Sequence, residues 1–211
     1  MRAPRAFVDM DGVVVDFEGY MRFLNATSED IKRMPGSYLE MAPMPGGLAG
    51  VRSLIGMGFD VWLASKPPTG VAHAYSAKAE WVFVYLPELK RKLILTHDKG
   101  LLGNANDVLI DDHPHRANCF EFDGTLIIHR SWETTLARCR RRMAGEHVVA
   151  DVARREFMRT LYAYRDMVGG LYPGMAFNRM QQLRLTYAAN GGDPGELPSV
   201  QPPGEDGRAR W

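Results

Sequence analysis

Two aspartates separated by one residue, Asp9 and Asp11, end an apolar run and are followed by Gly12. Residues 6–10 have the length and the β-branched or aromatic bias of a buried strand, and Gly12 lets the backbone turn sharply at its end. Side chains at i and i+2 leave a strand in the same direction, so the two carboxylates crowd one face. A hard divalent cation such as Mg²⁺ or a shared proton relieves that crowding, which makes the pair a metal site or an acid/base couple. The arrangement recurs at Asp111-Asp112-His113-Pro114, where a second apolar strand over residues 106–110 ends. The recurrence predicts a carboxylate-lined metal site.

Cations and a hydroxyl occupy comparable positions. A strand over residues 59–64 runs into Ser65-Lys66-Pro67-Pro68-Thr69-Gly70, whose composition suits an oxyanion-binding loop. Lys78 falls on a helix over residues 73–86, and Lys99 follows a strand over residues 92–96. Most lysines are surface groups, and what distinguishes these two is their position relative to strand ends. His113 and His115 flank Pro114, but oxygen-rich surroundings favour Mg²⁺ over softer-site metals, so a rim histidine touching substrate or solvent is expected. Glu121-Phe122-Asp123-Gly124 imitates the first motif with a glutamate in place of the first aspartate; the longer side chain misplaces the carboxylate, and the segment reads as a decoy.

Apolar strands alternate with helices, the latter over residues 48–57, 73–86 and 132–143, with a fifth strand at 125–129. Ser131 is placed to cap the last helix, whose C-terminal Arg138, Arg140, Arg141 and Arg142 complement its dipole. This alternation predicts an α/β fold with a parallel sheet covered on both faces and ligands beyond the carboxyl ends of the strands. Residues 17–45 break the rhythm as one or two short helices, a small insertion that could serve as a lid. Phe17, Tyr20 and Phe23 there either line a pocket or fill the core.

The 211 residues suffice for one well-buried core and an extension, and a net charge of +1 gives no general signal for nucleic acid or membrane partners. Cys119 and Cys139 lack metal-type spacing, so structural thiols in a reducing cytoplasm are expected. No segment has the length and apolarity of a membrane span, and a soluble intracellular protein is expected.

The blocks Val8-Asp9-Met10-Asp11-Gly12-Val13 with Asp16-Phe17-Glu18, Met44-Pro45-Gly46, residues 61–65 with Pro67, Lys78-Ala79 with Trp81-Val82, Leu95-Thr96 with Asp98-Lys99, and Leu109-Ile110-Asp111-Asp112 with Pro114 occur in an order that resembles the haloacid dehalogenase superfamily of phosphohydrolases. Within it the chain is most similar to the 5'(3')-deoxyribonucleotidases. The resemblance implies a Rossmann-like three-layer fold with a five-stranded parallel sheet and a small helical cap inserted after the first strand. It further implies Mg²⁺-dependent hydrolysis of a nucleoside monophosphate, through attack by Asp9 on phosphorus, with Asp11 as acid and base. Ser65 would bind phosphoryl oxygens, Lys78 would neutralise Asp9 and the phosphate, and Lys66 and Lys99 would reach phosphate or substrate. Mg²⁺ would be held by Asp9, the Asp11 backbone carbonyl and Asp112, with Asp111 as ligand or supporting partner. The insertion is shorter than the family's cap, and of the aromatic pocket that grips the base only Phe17 is matched. Lys66 and His97 also replace the residues expected there.

Domain organisation is expected to be a phosphatase core over residues 1–143 with its cap at 17–45, a helical extension at 144–190 and a flexible tail at 191–211. Val149, Val152, Phe157, Leu161 and Tyr164 are candidates for burial in the extension, which could pack on the core, mediate a homodimer or, through Arg138 to Arg142, Arg154, Arg155 and Arg159, meet nucleic acid. Rival functional readings keep the chemistry but change the substrate to a sugar phosphate or a polynucleotide terminal phosphate, or make the protein a non-catalytic phosphate- or partner-binding module.

Overall fold

A computed structural model of the chain describes residues 3–146, 148–166 and 173–202. Strand β1 (Arg5–Val8) lies at the centre of a five-stranded sheet, between β2 (Asp60–Ser65) and β4 (Val108–Asp111), with β3 (Leu93–Leu95) and β5 (Thr125–Ile128) at the edges. All four pairings are parallel. The order β3-β2-β1-β4-β5 means the chain winds outward in one direction from β1 and then reverses, leaving a crevice between β1 and β4 where strand ends diverge. This is the α/β, Rossmann-like architecture expected from the sequence. Ala6, Val8, Leu63 and the apolar residues of β4 are fully buried, as strands sandwiched between helices must be.

β1 is shorter than its apolar run predicts. The Met10 carbonyl accepts from the backbone N–H of Val13, Val14 and Val15, so the chain leaves the sheet after Val8 and curls into a tight loop. Gly12 sits in that loop at φ 79°, and a Cβ there would collide with the Asp112 carboxylate. β4 begins later than expected because Asp107 serves another purpose. Its carboxylate accepts from the Arg5 backbone N–H at 2.8 Å and the Arg5 guanidinium at 2.6 Å, clamping the amino ends of β1 and β4 together.

The insertion after β1 contains three short helices rather than one or two: α1 (Phe17–Leu24), α2 (Ser28–Arg33) and α3 (Ser37–Glu40). Each start has its own signal. Asp16 caps α1, Thr27 and Asp30 form a capping box on α2, and Gly36 turns left-handed before α3. The chain then enters α4 (Gly47–Gly56) and, after β2, α5 (Ala72–Tyr85), whose Trp81 is buried and donates its indole N–H to the Met41 carbonyl. After β5, Ser131 accepts from the Thr134 backbone N–H to begin α6 (Trp132–Met143), and Trp132 donates to the Val13 carbonyl behind the loop after β1.

The chain divides into two compact units, Met1–Arg140 and Arg141–Trp211. In the second, α7 (Val148–Asp166) packs on α8 (Pro173–Ala189). Phe157, Leu161 and Tyr164 are buried there, but Val149 and Val152 are exposed; Ala150 and Ala153, whose small side chains permit close approach, take the inward positions. The flexible tail expected from residue 191 begins in a segment that is tied down. Leu197 is buried, Arg184 donates to the Pro194 carbonyl at 2.6 Å, and Tyr187 donates to Glu196 at 2.6 Å. Gly and Pro content suggests looseness only when no side chain holds the backbone, and here Arg184 and Tyr187 do. Residues 203–211 of that expected tail lie outside the described residues.

Candidate active site

The sheet register delivers the site. Val8 pairs with both Leu63 and Ile110, so Asp9 and Asp111, one residue further on, emerge together at the carboxyl edge, and Ser65 follows two residues beyond Leu63 on the other flanking strand. The Asp9 backbone N–H still donates to the Ile110 carbonyl at 2.9 Å, fixing Asp9 beside the end of β4. Asp9, Asp111 and Asp112 each offer a ligand atom, and these atoms lie within 4.8 Å of one another.

Lys99 compensates this negative cluster. Its Nζ lies 2.8 Å from Asp9 Oδ1 and 2.6 Å from Asp111 Oδ2, and the side chain is only 2% exposed. The loop after β3 reaches so far inward because the Lys99 backbone N–H donates to the Ala117 carbonyl at 2.7 Å. Lys78 is completely buried on α5 and donates to both oxygens of Asp11 at 2.8 Å, with its Nζ 4.1 Å from the centre of the Tyr38 ring. Lys78 does not neutralise Asp9 as the resemblance implies; Lys99 holds Asp9 together with Asp111, and Lys78 holds Asp11. The Asp11 carboxylate is turned toward that lysine and is not part of the three-carboxylate cluster.

The remaining oxygens divide by whether the protein satisfies them. Asp111 is saturated: Oδ2 meets Lys99 and the Cys119 thiol, and Oδ1 accepts from the His113 backbone N–H at 2.8 Å. Asp111 therefore orients Lys99 first and has little capacity left for a ligand. By contrast, Asp112 Oδ1 and Ser65 Oγ are buried with no protein partner. Buried polar atoms are almost always satisfied, so two orphans at the carboxyl ends of the strands that flank β1 point to something that binds there. An all-oxygen donor set with buried, unpartnered lone pairs suits a hard divalent cation.

Electrostatics agree. Burial, reinforced by Asp111 and Asp11 and opposed by Lys99, pushes the Asp9 carboxyl up to about 7. Burial and the neighbouring Asp111 push Asp112 up to about 6. Burial alone would lower the Lys99 ammonium, but Asp9 and Asp111 outweigh it and hold the proton more firmly than an ordinary lysine does. Without added cations the cluster thus holds protons near neutrality that a metal would displace.

The cluster forms the floor of a cavity of about 530 Å³, within the usual size range of ligand sites. Glu29 and Lys32 of α2 and Tyr38 of α3 line it from the insertion; Lys66 to Thr69, Val71, His113, Arg116 and Ala117 line it from the loops after β2 and β4. Phe17 is not among the residues that line this cavity, as was expected of it; it packs against Tyr38, with ring centres 6.3 Å apart. An aromatic residue at the first turn of a helix was free to face either way, and the core claimed it. His113 lines the cavity, whereas His115 packs on Phe120 and His97 contacts the Tyr75 hydroxyl. The decoy's Asp123 and Gly124 directly precede β5 and so lie at its amino end, away from the carboxylates. Tyr38, Lys32 and Arg116 escaped the sequence reading, because nothing local distinguishes them from an ordinary core tyrosine and two surface cations.

No protein-family model matches the chain. A Bordetella bronchiseptica protein assigned by name to the 5'(3')-deoxyribonucleotidases is 35% identical over 112 residues, which cover 53% of this chain and 59% of that protein. The human 5'(3')-deoxyribonucleotidases are similar too: the cytosolic type is 30% identical over 53% of this chain and 71% of its own length, and the mitochondrial enzyme 29% identical over 54% and 64%. The match therefore spans little more than half of the Bordetella relative. Among the described residues no helix is long and apolar enough to cross a membrane. With strand-end aspartates, buried lysines and orphaned oxygens assembled in this order, and with that extent of identity to the human cytosolic type, the chain belongs to the 5'(3')-deoxyribonucleotidase family.

Proposed function

We propose that this protein is a Mg²⁺-dependent phosphomonoesterase that dephosphorylates (deoxy)nucleoside monophosphates at the 5' or 3' position through an aspartyl-phosphate. The observation that carries the reading is the convergence of Asp9, Asp111 and Asp112 on one point beside Lys99, with Ser65 Oγ and Asp112 Oδ1 buried and unpartnered. The names of the family's human members supply the substrate class, and the cytosolic type among them favours action in the cytoplasm.

In this reading Asp9 Oδ1 is held by Lys99 and the Met10 backbone N–H, which aims the other oxygen at phosphorus. Attack forms the Asp9–phosphorus bond and breaks the ester bond; Asp11 gives a proton to the departing alkoxide. Asp11 then takes a proton from water, whose oxygen attacks phosphorus, restoring Asp9 and releasing phosphate. Ser65 donates to a phosphoryl oxygen, and Lys78 and Lys99 balance the charge that accumulates there. Mg²⁺, held by Asp9, Asp112 and the Asp11 backbone carbonyl with Asp111 behind them, would neutralise phosphoryl charge as a Lewis acid.

Phosphate release from nucleoside 5'- and 3'-monophosphates, sugar phosphates and 3'-phosphorylated oligonucleotides, each with Mg²⁺ or with chelator, tests this. Release from the mononucleotides that needs Mg²⁺ and is abolished by Asp9→Asn is expected. Absence of release from every substrate would defeat the reading and favour a binding module, and near-native turnover by Asp9→Asn would remove Asp9 as nucleophile.

A further inference from the structure

In the reaction proposed above the scissile phosphate is met by Ser65 and Lys99, with Lys78 buried behind Asp11. The mouth carries more. Lys32 from α2, Lys66 from the loop after β2 and Arg116 from the loop after β4 line the same cavity, and none has an ion-pair partner among the described residues. Glu29 beside them is neutralised by Arg33 at 2.7 Å, so it does not cancel them. The three cations come from three separate chain segments, which a helix-surface charge pattern does not produce.

What the mouth lacks is equally informative. Among the described lining residues Tyr38 is the one Phe, Tyr or Trp, and it is almost fully buried with one face given to Lys78. A base therefore finds no open Phe, Tyr or Trp face among these residues, and a neutral nucleoside leaves three unpaired cations facing nothing. A second phosphate ester on the substrate would meet them, through charge-assisted hydrogen bonds in a partly dehydrated cleft.

Resting on the phosphatase reading above, we infer that the substrate is a nucleotide with a second phosphoryl group beyond the scissile one, seated by Lys32, Lys66 and Arg116. The second group is either the other monoester of a nucleoside 3',5'-bisphosphate or the first phosphodiester of a 3'-phosphorylated oligonucleotide.

Mg²⁺-dependent phosphate release is compared for thymidine 5'-monophosphate, thymidine 3'-monophosphate, thymidine 3',5'-bisphosphate and the 3'-phosphorylated dinucleotide. The full chain should favour a substrate with two phosphoryl groups by roughly tenfold or more in kcat/KM, mainly through KM, the equivalent of about 1.4 kcal/mol. That ratio should fall toward one in the double variant Lys32→Gln/Arg116→Gln and shrink as salt is raised. Preference for the bisphosphate or for the dinucleotide identifies which source supplies the second group. Equal kcat/KM for substrates with one and with two phosphoryl groups, or a preference that survives the double variant, overturns the inference while leaving the phosphatase reading intact. No release from any of the four defeats that reading, and the inference with it.

Discussion

Replacing Lys99 with methionine removes a charge while keeping most of the buried volume, and its effect follows from the geometry. The ammonium lies 2.8 Å from Asp9 and 2.6 Å from Asp111 in a position 2% exposed. At such separations, and an effective dielectric of about 20, each pair gains roughly 6 kcal/mol of attraction, much of it offsetting the cost of dehydrating three charges. Removing one partner keeps that cost and forfeits the attraction, so a net loss of about 3–5 kcal/mol is expected. For a chain of this size that corresponds to a fall of about 6–20 °C in Tm. The loss should be larger at pH 8, where Asp9, raised to about 7, is ionised, than at pH 5.5, where its own proton does part of the work of Lys99. Trp62, Trp81 and Trp132, three of the four tryptophans, lie in the unit that carries the site, so urea unfolding followed by tryptophan fluorescence in chelator reports mainly on it. Asp111→Asn in the same background should recover part of the loss, since it removes one of the uncompensated carboxylates. A loss below about 1 kcal/mol at pH 8, or one independent of pH, would refute the claim that Lys99 is what keeps this cluster charged and folded.

Metal binding should weaken as pH falls from 8 to 5.5, because Asp9 and Asp112, raised to about 7 and about 6, then hold protons the cation must displace; calorimetry in buffers of different ionisation enthalpy would detect the released protons, and constant affinity would argue against a carboxylate site. The same raised values set the sign for stability: these groups favour the folded metal-free protein fully below about pH 4, and that contribution is lost as pH rises through 6 to 7. Thermal melts in chelator should therefore show a decline across that window which Mg²⁺ diminishes. Gly12→Ala should cost roughly 1–3 kcal/mol and weaken Mg²⁺ binding, since the residue sits at φ 79° and its Cβ would displace the Asp112 carboxylate; an unchanged Mg²⁺ isotherm would count against that contact. Gly50→Ala should be destabilising by about 1–3 kcal/mol despite alanine's better helix propensity, because the new methyl would strike the Trp132 indole; a raised Tm would show that the indole moves aside freely.

The sheet and the strand-end aspartates were legible because they rest on local rules. Apolar runs as short as β4 stand out, and a parallel strand places whatever follows it at one edge. Strand ends were less legible, since Met10 and Asp107 leave the ladder for tertiary reasons, one to close a loop and the other to clamp Arg5. Pairing of the two lysines was not readable at all. Lys78 and Lys99 are equally plausible partners for Asp9 in one dimension, and the hydrogen bond from Lys99 to Ala117 that decides between them joins residues whose types carry no signal. In the insertion, periodicity gave helices but not which aromatic would face inward, and Tyr38 took the place expected of Phe17. In the extension, bulky valines looked more buriable than alanines, but the tight approach of two helices selects the smaller side chain.

Tyr38 belongs to the insertion after β1, yet its ring roofs the ammonium that grips Asp11. The insertion is thus not an independent module that evolution or an engineer can exchange at will. A larger replacement would have to bring its own ring to that position, or Lys78 would be hydrated and the acid it restrains set loose. Under the proposed mechanism, substrate range and proton transfer are for this reason coupled in the scaffold through a single aromatic side chain.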